Sequence, residues 1–334
     1  MGCGEEEILS GENVLNNKVT IRQMLNSYES DINWFDIMEY LKIEGEFPKL
    51  ANCAVTMGKF DGIHRGHRKL VEKIRERKTL GEQAVLFAID ASSNMILTSQ
   101  ERASLLEKLG VDVLVECQLN DRIRHMKAFI KEILMGDLGA SYVVVGEDNR
   151  FGFERKGTPR LLMEFGEKYG FDVEILSKEM DGHRKISSTY IREELKKGNM
   201  EKVTSLMGRD YFVEGQVVHG RGMGHKVLLP TTNLVPPRTK ILPPNGVYVT
   251  SSYFGDKIYH GITNIGCKPT VGESFIGVET YLFDCKEDLY GEECRVDFKK
   301  FLRPERKFPS LEALKSRLLA DAENGRRFFE KTEK

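Results

Sequence analysis

A single tryptophan, Trp34, and no C-x-x-C pair occur in 334 residues, and neither sign of charge prevails, with 50 Lys and Arg against 51 Asp and Glu. Each shortage excludes something. Six cysteines at positions 3, 53, 117, 267, 285 and 294 provide neither zinc-site spacing nor a disulfide framework, so reduced thiols in a cytoplasmic setting are expected. A formal net charge of -1 argues against nucleic acid or an anionic membrane as a partner, though a local basic pocket is compatible with it. No apolar run approaches a membrane span, and the N-terminus lacks the basic-then-apolar order of a signal peptide. Met1-Gly2-Cys3-Gly4 opens like a lipidation signal, but Glu6 stands where Ser or Thr is required. No G-x-x-x-x-G-K-[ST] run occurs either, which excludes a P-loop.

What is present has two textures. The length suits two domains rather than one core. From 51 to 204, short β-branched runs (Ala54–Met57, Ala84–Ile89, Val111–Val115, Tyr142–Val145, Val173–Leu176) alternate with amphipathic stretches, among them a basic helix near Arg65–Lys78. Ser99 reads as the cap of another helix. This alternation predicts a parallel sheet covered on both faces, with ligands beyond the carboxyl ends of its strands. From 205 to 334, Gly and Pro become frequent and strands follow one another without helices. Val278, Thr280 and Leu282 alternate with Glu279, Tyr281 and Phe283, the period of a half-buried strand. A small antiparallel barrel with a closing helix over Leu311–Phe328 is expected there. Residues 1–50 read as a helical extension.

Two constellations carry chemistry. Gly58-Lys59-Phe60-Asp61-Gly62 and His64-Arg65-Gly66-His67 lie between a strand and a helix. Glycines there allow a tight turn and close backbone approach to a ligand. A helix N-terminus attracts phosphate, and two imidazoles a turn apart can donate to oxygens as charge develops. Metal ligands, solvent-facing histidines and a phosphate site without catalysis are the competing readings. Ser187-Ser188-Thr189 with Arg192 closes the same domain, where the hydroxyls can equally be caps. In the second half, the glycine-rich His219–Gly224 precedes Pro230-Thr231-Thr232-Asn233. Side-chain oxygens of Thr and Asn suit a hard cation such as Mg2+, and a plain turn after proline is the alternative.

Taken together, these motifs resemble the prokaryotic bifunctional riboflavin kinase/FMN adenylyltransferase (FAD synthetase) family over about residues 51 to 325. Carrying the resemblance are the Gly58–His67 run, Gly146-Glu147-Asp148-Asn149-Arg150-Phe151-Gly152, the Ser-Ser-Thr element, Thr231-Thr232-Asn233, Asn245-Gly246-Val247-Tyr248, Asn264-Ile265-Gly266 and Glu279. The resemblance implies an α/β fold: a Rossmann-like doubly wound nucleotidyltransferase domain, then a small antiparallel β-barrel riboflavin kinase domain with a C-terminal helix. It implies ATP-dependent phosphorylation of riboflavin to FMN, then adenylylation of FMN to FAD with release of pyrophosphate.

By the same resemblance His64, His67, Arg192 and Glu279 are catalytic, Glu279 as base for the 5′-hydroxyl. Gly58, Asp61, Gly66, Ser187, Ser188, Thr189, Gly220 and Gly224 bind ATP or its phosphates. Asp148, Asn245, Tyr248 and Arg303 bind flavin or nucleotide, and Thr231 and Asn233 hold Mg2+. Phe60 and Phe151 are expected in the core. Partners are then flavins and ATP, with a monomer or weak homo-oligomer. The sequence departs from the family at Leu86–Ala91, which lacks the usual Pro and His, at Asn149 in place of an aromatic, and at His225 and Leu228 in place of Arg and Gly. A relative keeping one activity, or a regulatory protein that binds flavin with little turnover, are the alternatives these departures leave.

Overall fold

The computed structural model describes residues 37–89, 94–118, 121–219, 231–269 and 274–332. Gly220, Gly224, His225 and Leu228 lie outside the described residues, as do 1–36 of the expected extension.

The first sheet contains β1 (Glu39–Ile43), β2 (Cys53–Gly58), β3 (Gln83–Ile89), β4 (Val113–Cys117), β5 (Ala140–Gly146) and β6 (Asp172–Leu176). Its order is β1-β4-β3-β2-β5-β6, with every neighbouring pair parallel. Apolar density explains why these runs are inner strands: Ala84 to Ala88 of β3 are fully buried, as a sheet covered on both faces requires. One face packs Val55, Val85 and Val115 against Phe129 and Ile133 of a π-helical segment, Phe129–Asp137. The other packs Ala54, Leu86 and Leu114 against α1 (Arg65–Glu76) and α2 (Ser99–Lys108) through Val71, Ile74 and Leu106. Strand order reverses between β2 and β5, so the ligand crevice of such a sheet falls at the end of β2.

Two expectations are corrected. The helical extension fails at Glu39–Ile43, which is the edge strand β1 paired with β4. Its Glu39 and Lys42 are exposed while Leu41 and Ile43 meet the core, and such charge on an edge strand hides the apolar density that marks inner ones. The cap of α2 is Thr98, not Ser99. Thr98 and Glu101 form a reciprocal capping box, and the Ser99 hydroxyl donates instead to Glu116 at 2.8 Å.

Beyond α3 (Pro159–Tyr169) and a short hairpin of β7 (Met180–Asp181) and β8 (Arg184–Lys185) come α4 (Ser188–Lys197) and α5 (Met200–Met207). The second sheet holds β9 (Tyr211–Gln216), β10 (Thr231–Leu234), β11 (Gly246–Phe254), β12 (Lys257–Pro269), β13 (Ser274–Leu282) and β14 (Glu293–Pro304). Its pairs are antiparallel in the order β10-β13-β12-β11-β14-β9, and a bridge from Val218 to Asn233 brings the two edges together. The curled sheet encloses Tyr248, Ile265, Val278, Leu282 and Phe298, with a ladder of buried hydroxyls from Thr250 to Thr263 (2.7 Å) to Thr280 (2.8 Å). Its opposite face is covered by α6 (Leu311–Thr332), where Ala322 and Phe329 meet Val247, Val249, Ile262 and Phe283.

The boundary expected at 204 and 205 falls within α5. Tyr190, Ile191, Leu195, Val203 and Leu206 of α4 and α5 share one core with Tyr211, Val213 and Tyr248 of the barrel. A buried ion pair adds to this junction: Lys240, in the loop before β11, meets Glu101 of α2 at 2.5 Å, with both side chains 2% exposed or less. Lys240 also donates to Ile96 O at 3.0 Å, and Glu101 accepts from the Glu214 N–H at 3.0 Å. Removing one partner strands a buried charge, so Lys240→Met should cost on the order of 3–5 kcal/mol in urea denaturation. A loss below about 1 kcal/mol would show the pair to be dispensable.

Candidate functional site

The chain leaves β2 at Gly58 and enters α1 at Arg65 through a loop of unusual backbone. Phe60, Gly62 and Ile63 have φ of 44, 92 and 40°, the left-handed region. At Gly62 a Cβ would also lie 3.1 Å from the Ile96 side chain, so a side chain there is doubly disfavoured. Gly58 and Gly66 have ordinary φ, so the turn depends on one glycine of the motif. Phe60 and Ile63 are fully buried, and this packing holds their strained backbone in place.

Asp61 is the loop's fastening. Its carboxylate accepts from Ile96 N at 2.8 Å and pairs with Arg192, while its backbone carbonyl accepts from Ser188 Oγ at 2.6 Å. Arg192, expected to be catalytic, is therefore engaged by Asp61 and by Asn94 O at 3.1 Å. Ser187 caps α4 by accepting from Tyr190 N, and Thr189 is exposed.

His64 is the N-cap of α1, its Nδ1 accepting from His67 N at 3.2 Å. A neutral His64 ring therefore carries its proton on Nε2, free to donate. The two imidazoles stack at 3.7 Å, and Phe60 lies 4.7 Å from His67. Burial lowers the His64 pKa to about 4, against the pull of Asp148 and with help from Arg209. Burial and the neighbouring His64 hold His67 well below the ordinary imidazole value. Both rings are neutral at pH 7, and His67 Nδ1 is buried without a partner. Among the described residues no group of three His, Cys, Asp or Glu forms a metal-holding set.

Asp148 follows β5 across the switch point, exposed and within 3.6 Å of Lys178 and 4.0 Å of Lys185. Asn149, the departure from the aromatic pattern, donates its amide to Met57 O at 2.9 Å and so closes the end of β2. Phe60 and Phe151 are both core residues.

Register assembles the second site. β10 lies beside β13 with Asn233 opposite Glu279, and Thr231 Oγ1 donates to Glu279 Oε1 at 3.1 Å. Alternation places Thr232, Leu234, Val278 and Thr280 inside, and leaves Thr231, Asn233 and Glu279 half-buried on the other face. On the far side of Glu279, β12 brings Asn264 into register, a residue visible in its motif but not identified as a site residue. Only strand pairing sets it beside Glu279.

Three residues expected to bind flavin or nucleotide have partners within the protein. Tyr248 is fully buried in the barrel, donating to Pro244 O and packing on Phe298 and Phe301. Arg303 holds α6 through Asp321 at 2.7 Å, and Asn245 reaches Glu305 at 3.5 Å. Tyrosine at a strand position reads equally as core or ligand contact, and burial decides for the core.

A parallel-sheet domain with paired imidazoles at a helix start, joined to a barrel with a carboxylate, hydroxyl and amide on one face, defines a two-module transferase. A sequence model of the FAD synthetase family matches residues 47–190, and one of riboflavin kinase matches 207–329. The bifunctional riboflavin kinase/FMN adenylyltransferase of Escherichia coli (strain K12) is 34% identical over 291 residues, covering 83% of this chain and 93% of that protein. The Pseudomonas fluorescens protein of the same name is 33% identical over 288 residues, with 82% and 92% covered. The crystal structure of a macrolide-efflux protein from Streptococcus pneumoniae is similar with a TM-score of 0.77 at 27% identity, covering 86% of this chain and 99% of that one. The chain belongs to the bifunctional riboflavin kinase/FMN adenylyltransferase family and is a transferase of flavin cofactor biosynthesis, from riboflavin through FMN to FAD. Among the described residues no helix is long and apolar enough to cross a membrane.

The buried histidines make stability depend on pH. An unfolded imidazole takes its proton near pH 6.5, whereas folded His64 resists until about pH 4. Stability is therefore lost as pH falls through that window, with a slope of up to about 1.4 kcal/mol per pH unit for each ring. Urea denaturation at a series of pH values should show this slope, and His67→Leu should flatten it. An unchanged slope in that variant would remove His67 from the account.

Proposed function

We propose that the two reactions run at separate sites, phosphorylation at Thr231, Asn233 and Glu279 and adenylyl transfer at His64 and His67. The observation that carries this reading is the bond from Thr231 to Glu279 across paired strands, which joins two distant motifs on one face.

In the barrel, the riboflavin 5′-hydroxyl gives its proton to Glu279 as its oxygen attacks the γ-phosphorus of ATP. The bond to ADP breaks, and FMN and ADP result. Thr231 and Asn233 can each offer a side-chain oxygen beside Glu279, and such oxygens fit Mg2+. Bound there, the ion supplies charge neutralisation to the phosphates of ATP.

In the parallel-sheet domain, a phosphate oxygen of FMN attacks the α-phosphorus of a second ATP. The bond to the bridging oxygen breaks, and pyrophosphate leaves as FAD forms. The free N–H groups of α1 and the neutral His64 and His67 rings donate to phosphate oxygens in the transition state. Ser188 and Arg192 act through Asp61 by holding the loop, and Asp148 faces the nucleotide or flavin. We place the protein in the cytoplasm, where its reduced cysteines fit, and expect a monomer or weak homo-oligomer.

Chromatographic separation of flavins made from riboflavin, ATP and magnesium tests the assignment. His67→Ala should lower FAD formation about 10²–10³-fold and leave riboflavin phosphorylation nearly intact. Equal loss of both activities would defeat the two-site reading. Glu279→Gln should lower FMN formation by about 10²–10⁴-fold while added FMN is still converted to FAD. Unchanged FMN production in that variant would exclude Glu279 as the base.

A further inference from the structure

We propose that Arg209, which lies within the riboflavin kinase part of the chain, is a positioning residue for adenylyl transfer. It follows the left-handed Gly208 that ends α5, inside the stretch 207–329 that matches riboflavin kinase. Its side chain nevertheless reaches the other module, where Nη2 donates to Gly62 O at 2.7 Å. Nη1 donates to Asp210 O at 3.2 Å, and the guanidinium sits 5.2 Å from the Phe212 ring. Arg68 of α1 closes the same junction from the other side by donating to Gly208 O at 3.2 Å. The Gly208–Arg209 turn is thus held between the start of α1 and the loop that carries His64.

The arrangement divides labour within that loop. Asp61 is held by Ile96, Ser188 and Arg192, whereas the next carbonyl, Gly62 O, is met by Arg209. Gly62 lies between the strained Phe60 and Ile63, two residues before His64. Without its donor, the Gly62 peptide can rotate, and His64 moves with it. The Arg209 side chain is half-buried, and its Nε is buried without a partner, a costly placement for part of a cation. Its charge acts on His64 as well. Arg209 disfavours the imidazolium, Asp148 favours it, and His67 stacks on the ring.

The proposal rests on the adenylyl-transfer reading of the His64 site. The test uses the full-length protein, measuring kcat and KM for riboflavin phosphorylation and, from FMN and ATP, for FAD formation across acid and neutral pH. Arg209→Gln should lower kcat for FAD formation by about 10- to 100-fold, with KM for ATP and riboflavin phosphorylation each within about twofold of wild type. The acid limb of its FAD profile should move to higher pH, because His64 loses a repelling charge. Arg209→Lys keeps the charge and one donor, so it should leave that limb in place and recover much of kcat. Parallel loss of both activities in either variant, or an Arg209→Gln protein with unchanged FAD formation, overturns the proposal. Wild-type protein that makes no FAD from FMN overturns the underlying reading, and the proposal with it.

Discussion

Asp61 is nearly out of contact with solvent, and its bonds to Arg192, Ser188 and Ile96 tie together three parts of the chain more than thirty residues apart. A buried carboxylate is tolerated only when its charge is answered, and here the answer shapes the site. The grip on Asp61 joins the packing of Phe60 and Ile63 in holding their unusual backbone conformations. That in turn sets His64 as the N-cap of α1. Remove the carboxylate, and only that packing is left to hold the strain.

The same chain of dependence runs outward. Ile96, which donates to Asp61, accepts from Lys240 through its carbonyl, and Lys240 is paired with Glu101. Barrel and parallel sheet therefore share a polar seam rather than resting against each other through apolar contact alone. Low dielectric strengthens each bond in that seam and raises the cost of leaving any one unmade.

The parallel sheet was legible because its inner strands are dense in β-branched residues between amphipathic helices. Its edge was not, because Glu39–Ile43 carries the charges of a solvent-facing strand. A strand-glycine-helix order singled out His64 and His67 as candidates, and the resemblance singled out Glu279, which strand register sets beside Thr231 and Asn233. Asn264 could not be singled out, since strand register is a tertiary fact. Tyr248, Arg303 and Arg192 have protein partners that the sequence could not show. Each is a residue type that serves ligands and structure equally, and only its partners in space distinguish the two uses.

The core that α4 and α5 share with the barrel bears on how such a chain can be recombined. A graft cut in the gap between residues 190 and 207 would divide the core that Ile191, Leu195, Val203 and Leu206 form with the barrel. A transplanted kinase unit needs the two helices as its own floor, yet taking them strips the parallel-sheet domain of the Ser188 and Arg192 that hold Asp61.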